Sequence, residues 1–128
     1  FLVVFSREGE TNRNVMIAPT PQEVGPTKNH LIYTTLWRGA SSPSEELMRV
    51  VLTKIQKYGN PYLLKLEDEY MIRFGVTFDI NLVGADPTAD DPGVKQLKDT
   101  LYFIDAASFA ITQEIRKLPA SARGEGTG

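Results

Sequence analysis

Ile72, Phe74, Val76, Phe78, Ile80 and Leu82 are apolar and stand two residues apart, with Arg73, Gly75, Thr77, Asp79 and Asn81 between them. Alternation of this length marks residues 70–83 as a β-strand with one face buried and the other wet. The wet face carries a cation, a hydroxyl and an amide, so it is a working surface as well as a solvated one. A second periodicity takes over downstream. Val94, Leu97, Leu101, Ile104, Ser108, Ile111, Ile115 and Leu118 are spaced by three or four, a helical stripe that only Ser108 interrupts. A half-wet sheet followed by helices that need something to cover is the frame for the rest of the chain.

The apolar residues 1–5 read as a strand, 6–14 as a turn around Gly9 and Asn12, and Val15, Met16 and Ile17 as a returning strand. Pro19, Pro21, Gly25 and Pro26 make 18–29 a loop, because proline cannot donate to a ladder. Residues 30–38, HLIYTTLWR, form a third strand and 39–44 a turn. Residues 45–57 are ambiguous: their charges suit a helix, while Val50, Val51, Thr53 and Ile55 suit a strand. The turn signal Tyr58-Gly59-Asn60-Pro61, leading into the strand 62–67, favours a strand over 48–57. Asp91 is placed to cap the following helix and Pro92 suits its first turn. A break near Ala107-Ser108 is expected, since Ser108 can cap a second helix and Phe103 and Phe109 leave the stripe. The predicted class is α+β: an N-terminal β-hairpin over 1–19, an antiparallel meander over 30–83, two C-terminal helices over 92–118 and a flexible tail over 119–128.

Several chemistries are excluded or disfavoured. A chain of 128 residues suits one domain, and no internal repeat is present. With no cysteine there is no disulfide framework and no thiolate site, which weakly suits a reducing compartment. His30 is the single histidine, so no histidine dyad can form within one subunit, and a structural role suits it. Gly25-Pro26-Thr27-Lys28 lacks the spacing of a phosphate loop. Asp86, Asp90 and Asp91 offer oxygen ligands to a hard cation, but helix capping and loop solubility account for them more simply. No pair of carboxylates is spaced for acid–base work, so neither an enzyme nor a cofactor is expected. The net charge of −2 requires any nucleic-acid contact to come from a local patch. No apolar run approaches the roughly 18–20 residues of a membrane span, and FLVVF at 1–5 is short for a signal core.

An open meander leaves a long edge, and its apolar face needs as much cover as the two helices supply. Both needs are met by an intertwined homodimer in which edge strands pair into one continuous sheet and each subunit's helices cover the partner's sheet. Phe74 and Phe78 of the sheet and Leu97, Leu101, Ile104, Ile111 and Ile115 of the stripe would form that interface. Its size would be on the order of 2,000 Å² or more.

The order of elements resembles the coat proteins of single-stranded RNA bacteriophages of the levivirus type. VMIAPTPQEVGPT (15–27) is similar to that family's second strand and its exit, and EELMRVVLTKIQKYGNPYLLKLE (45–67) to its central hairpin. RFGVTFDINL (73–82) and LKDTLYFIDAASFAITQEIRKL (97–118) look like its last strand and helix pair. The likeness covers nearly the whole chain, as a pattern with no single diagnostic motif. It implies dimers that assemble into an icosahedral capsid around single-stranded viral RNA, helices outside and the open sheet face inside, with an RNA hairpin bound on that face. Partners would be other copies of the chain and the RNA, with no membrane. The location would be the virion, assembled in the bacterial host cytoplasm. By strand parity the RNA-facing positions are Arg49, Thr53, Lys65, Arg73 and Thr77, extended by Lys57. An ordinary solvated sheet face explains the same residues. Two departures stand out: the connection at 66–70 is shorter than the family's loop there, and the basic and hydroxyl set is only partly present. The rival readings are a dimeric α+β binding or scaffold module with no RNA role, and a coiled-coil assembly protein using the stripe at 94–118.

Overall fold

A computed structural model describes residues 1–6, 9, 12–20, 22–24, 27–55, 61–85 and 87–124, the backbone alone at 22–24, 27, 28 and 55. The chain divides into two compact units, residues 1–34 with 75–105 and residues 35–74 with 106–128.

In the first unit, β1 (Leu2–Phe5) and β2 (Arg13–Ile17) form an antiparallel hairpin with Val3 opposite Val15. The long strand β4 (Thr27–Gly39) pairs with β2 through Met16–Tyr33 and Ile17–Ile32. Between them β3 (Gln22–Val24) pairs with the start of β4, Val24 opposite Thr27. The expected loop at 18–29 therefore contains a strand, and β4 begins three residues before the expected 30. Pro21, Gly25 and Pro26, which argued for the loop, lie outside the described residues and beside the paired positions.

The alternating stretch is β6 (Glu69–Asp79), followed by a 3₁₀ turn at Ile80–Leu82. The strand stops earlier than its pattern because the Asp79 carboxylate accepts from the Asn81 N–H at 3.0 Å and starts the turn. Ile80 and Leu82 are consequently exposed. Gly75 is needed where it stands, since a Cβ there would lie 2.6 Å from the Ile32 carbonyl oxygen of β4.

Helix α2 (Pro92–Arg116) starts at Asp91, whose Oδ1 accepts from the N–H groups of Gly93 (2.8 Å) and Val94 (3.2 Å). The other oxygen, Oδ2, accepts from the Gly84 N–H at 3.0 Å and ties the preceding loop to the same side chain. Within this unit the helix rests on the hairpin of its own chain. Arg13 forms an ion pair with Asp105, and Phe5 meets Tyr102 edge-on at 5.6 Å between ring centroids.

In the second unit, residues 45–55 are helix α1 (Glu45–Ile55), which corrects the expected strand over 48–57. The helix wins because its local signals agree. Ser44 Oγ accepts from the Leu47 N–H at 3.1 Å as a cap, and Glu45 and Glu46 occupy the first turn and Lys54 the last, each sign at its favoured pole. Leu47 and Val51, four residues apart, are both fully buried. The turn at 58–60 that supported the strand lies outside the described residues.

Strand β5 (Pro61–Leu66) pairs antiparallel with β6 from Pro61–Phe74 to Leu66–Glu69, around a tight turn in which Glu67 has a φ of 52°. Helix α2 runs unbroken through Ser108, against the expected break. Ala107 and Ser108 are buried within the stripe; small residues there mark close packing rather than a cap. The turn comes later, at Pro119, and leads to the short helix α3 (Ala120–Arg123).

The sheet has six strands in the order β1-β2-β4-β6-β5, with β3 joined to β4 off that path. The architecture is an antiparallel sheet with helices, an α+β fold.

Candidate nucleic-acid interface

The candidate RNA-facing residues presuppose two sheet strands that are now separate elements. Arg49 and Thr53 belong to α1, where both are exposed. Arg49 is held to Glu45 one turn earlier at 2.9 Å. Lys57 lies outside the described residues.

Strand register separates the remaining three. Leu63 is opposite Ile72 and Lys65 opposite Tyr70, so Lys65 shares the face of Ile72 and Phe74. The Lys65 ammonium accordingly sits 5.3 Å from the centre of the Tyr70 ring. Arg73 is opposite Tyr62 on the other face, and its guanidinium donates to the Met71 sulfur at 3.6 Å. Thr77 follows Arg73 on that face by parity along β6 and is exposed. Of the six candidates, Arg73 and Thr77 share one strand face; Lys65 points away from them, and Arg49 and Thr53 are carried by a helix. Parity along one strand located its residues, but the register between strands depends on the turn at 67–68.

The residues assigned to a dimer interface are largely covered already. Phe74, Phe78, Ile104, Ile111 and Ile115 are buried within the single chain, while Leu97 and Leu101 are half-buried. Within this single chain Ile104, Ser108, Ile111 and Ile115 of the α2 stripe are buried, while Val94, Leu97, Leu101 and Leu118 are half-buried. What stays open is different. Strand β5 ends the sheet, and its Leu63 and Leu66 are 48% and 45% exposed. Strand β1 ends it on the other side, with Leu2 and Val4 exposed.

Three arginines that the sequence did not single out converge in the second unit. Arg38 at the end of β4, Arg116 in the last turn of α2 and Arg123 of α3 line a pocket of about 290 Å³ together with Trp37. The local signal was the Trp37-Arg38 pair closing an aromatic strand; its partners are more than 70 residues away in sequence.

Asp91 is engaged through both oxygens by backbone N–H groups, and Asp86 lies outside the described residues. Among the described residues no group of three or more His, Cys, Asp or Glu side chains is placed to hold a metal ion. The His30 Nδ1–H donates to the Ala18 carbonyl at 2.7 Å. No helix among the described residues is long and apolar enough to cross a membrane. Comparison with protein-family models, curated proteins and solved structures finds no match.

Proposed function

We propose that this chain is a self-assembling structural subunit, a coat-type protein whose homodimers build a shell around single-stranded RNA. The observation that carries the reading is the open edge at β5, where a terminal strand presents Leu63 and Leu66 to solvent. A strand that ends a sheet and carries exposed apolar side chains is a template for pairing with a second chain. Pairing across it would extend the sheet without opening either subunit. Burial of Ile104, Ile111 and Ile115 within the chain supports edge pairing as a route to the dimer that leaves these contacts in place.

Support for the shell comes from the sequence resemblance to levivirus-type coat proteins and from an antiparallel sheet followed by a long C-terminal helix. Helix α1 is a departure from the central hairpin which that resemblance implies. In this reading the subunit is assembled in the cytoplasm of a bacterial host and resides in the virion.

A second reading is favoured by a specific observation. Lys65 lies on the opposite sheet face from Arg73 and Thr77, so the sheet presents no joint basic platform from these three. That arrangement suits a dimeric scaffold or binding module with no RNA role.

One experiment separates the two. The protein is expressed in bacteria, purified by size and examined by electron microscopy, with absorbance at 260 and 280 nm measured on the same fractions. The coat reading expects uniform particles carrying nucleic acid. Small nucleic-acid-free oligomers under all conditions would remove it and leave the scaffold.

A further inference from the structure

The pocket lined by Arg38, Arg116 and Arg123 is assembled by the fold from three separate elements. Leu36, Trp37, Thr112, Ile115 and Gly124 complete its lining, which includes three arginines and no carboxylate among the described residues. Each arginine has some local reason to be there. Arg116 stands at the negative end of the α2 dipole. Arg123 donates to the Arg116 carbonyl at 3.5 Å. Arg38 is 3.9 Å from Glu69 in a well-exposed pair, a contact that contributes little. The fold nevertheless brings all three to one concavity on a chain whose net charge is −2.

Concavity gives the cluster its chemistry. Guanidinium forks that converge beside apolar walls offer several charge-assisted donors to one tetrahedral oxyanion. The wall is well fixed. The Trp37 indole N–H donates to the Arg123 carbonyl at 2.8 Å, and Gly39 and Gly124 lie against its ring. Gly124 adopts a φ of 75° as the cap of α3, which sets the end of the helix beside that ring. The site is also half open, since the Arg38 side chain is 61% exposed and Arg116 is exposed. An anion held there can continue as a chain on either side, which suits a phosphodiester better than an enclosed free ion.

We propose that this pocket binds a phosphate group of single-stranded RNA, with Arg38, Arg116 and Arg123 neutralising it. The assignment rests on the RNA-enclosing reading above and moves the phosphate contact from the sheet face to the junction of β4, α2 and α3.

The test uses a reporter already in place: Trp37 is the only tryptophan of the chain and lines the pocket. Its fluorescence is followed while the full chain is titrated with a short single-stranded oligoribonucleotide, and separately with inorganic phosphate, at several salt concentrations. RNA should change the emission saturably. The double variant Arg38→Gln/Arg116→Gln should bind RNA at least tenfold more weakly and flatten the salt slope by about 0.7, the value for one phosphate of a single strand. Lys98→Gln, on an exposed turn of α2 away from the pocket lining, should leave both quantities unchanged. An emission that RNA does not alter, or equal binding by the double variant, overturns the site. Inorganic phosphate binding as tightly as RNA assigns the pocket to a free ion and overturns the RNA assignment. Particles of the double variant with normal RNA content would overturn this site while leaving the shell intact. If the wild type forms no particles, the shell reading falls, and the titration still decides the pocket.

Discussion

Asp105 shows how much one side chain of α2 can matter. Its carboxylate lies 2.6 Å from Arg13 Nη2, with side-chain exposures of 7% and 14%, so both charges are largely withdrawn from water. Removing one charge takes this partner from the other in a largely dry site, which costs more than never having had the pair. Asp105→Asn should therefore lower unfolding free energy by about 3 kcal/mol, measured by urea denaturation at neutral pH. Arg13→Met combined with Asp105→Leu should recover most of that loss, because an apolar pair of similar volume needs no desolvation. A single-variant loss below about 0.5 kcal/mol, the range of ordinary surface changes, would show that the pair is not buried in solution. Glu114 and Lys117 make the opposite case. There the ammonium 3.1 Å away holds the carboxyl below its usual range by hydrogen bonding, on an exposed turn of the helix. That small contribution is present above the ordinary carboxylate pKa and is lost as pH falls through the lowered one.

At the scale of elements, Ser44 decides which structure residues 45–55 adopt. Its Oγ accepts from the Leu47 N–H and donates to the Ala122 carbonyl at 2.7 Å, joining the start of α1 to α3. Ser44→Ala should cost about 1–2 kcal/mol and reduce helical signal in the far-ultraviolet spectrum. Ser44→Asp should keep the cap but lose the donation to Ala122. An unchanged stability in Ser44→Ala would argue that α1 is held by Leu47 and Val51 alone. The same segment explains what was legible in the sequence. Period-two alternation identified β6 because one face is buried along most of its length, and the three-and-four spacing identified α2 for the same reason. Val50, Val51, Thr53 and Ile55 have strand propensity, yet propensity is a weak prior once a cap, end charges and an i,i+4 buried pair agree on a helix. Ser108 misled in another way: a hydroxyl residue can cap a helix or sit inside it at a close contact, and only burial distinguishes the two. The three-arginine pocket was invisible because periodicity reports on one element at a time, whereas the pocket draws on β4, α2 and α3.

For the whole molecule the question is what covers the edge of the sheet. Natural sheets protect terminal strands with charge, proline, bulges or covering elements. Here β5 begins at Pro61 and carries Lys65, and α1 touches it. Even so, Leu63 and Leu66 keep nearly half of their surface in water. They project from opposite faces of the strand, so a second chain aligned along β5 would cover one leucine above the sheet and one below it. The proposed dimerisation through this edge would make the two leucines sensitive to charge while the fold is not. Leu63→Lys with Leu66→Lys should change subunit stability by no more than about 0.5 kcal/mol per site, since neither side chain is in the core. Across a two-fold edge the same change sets like charges near one another where apolar contacts had been, and it adds the residue that natural edges use against pairing. Analytical ultracentrifugation of the wild type should show a dimer near twice the 14.3 kDa chain mass. The double variant should sediment as a monomer at the same concentration, with an unaltered circular dichroism spectrum. A variant that remains dimeric would move the interface away from β5, and a monomeric wild type would leave the shell without its first assembly step.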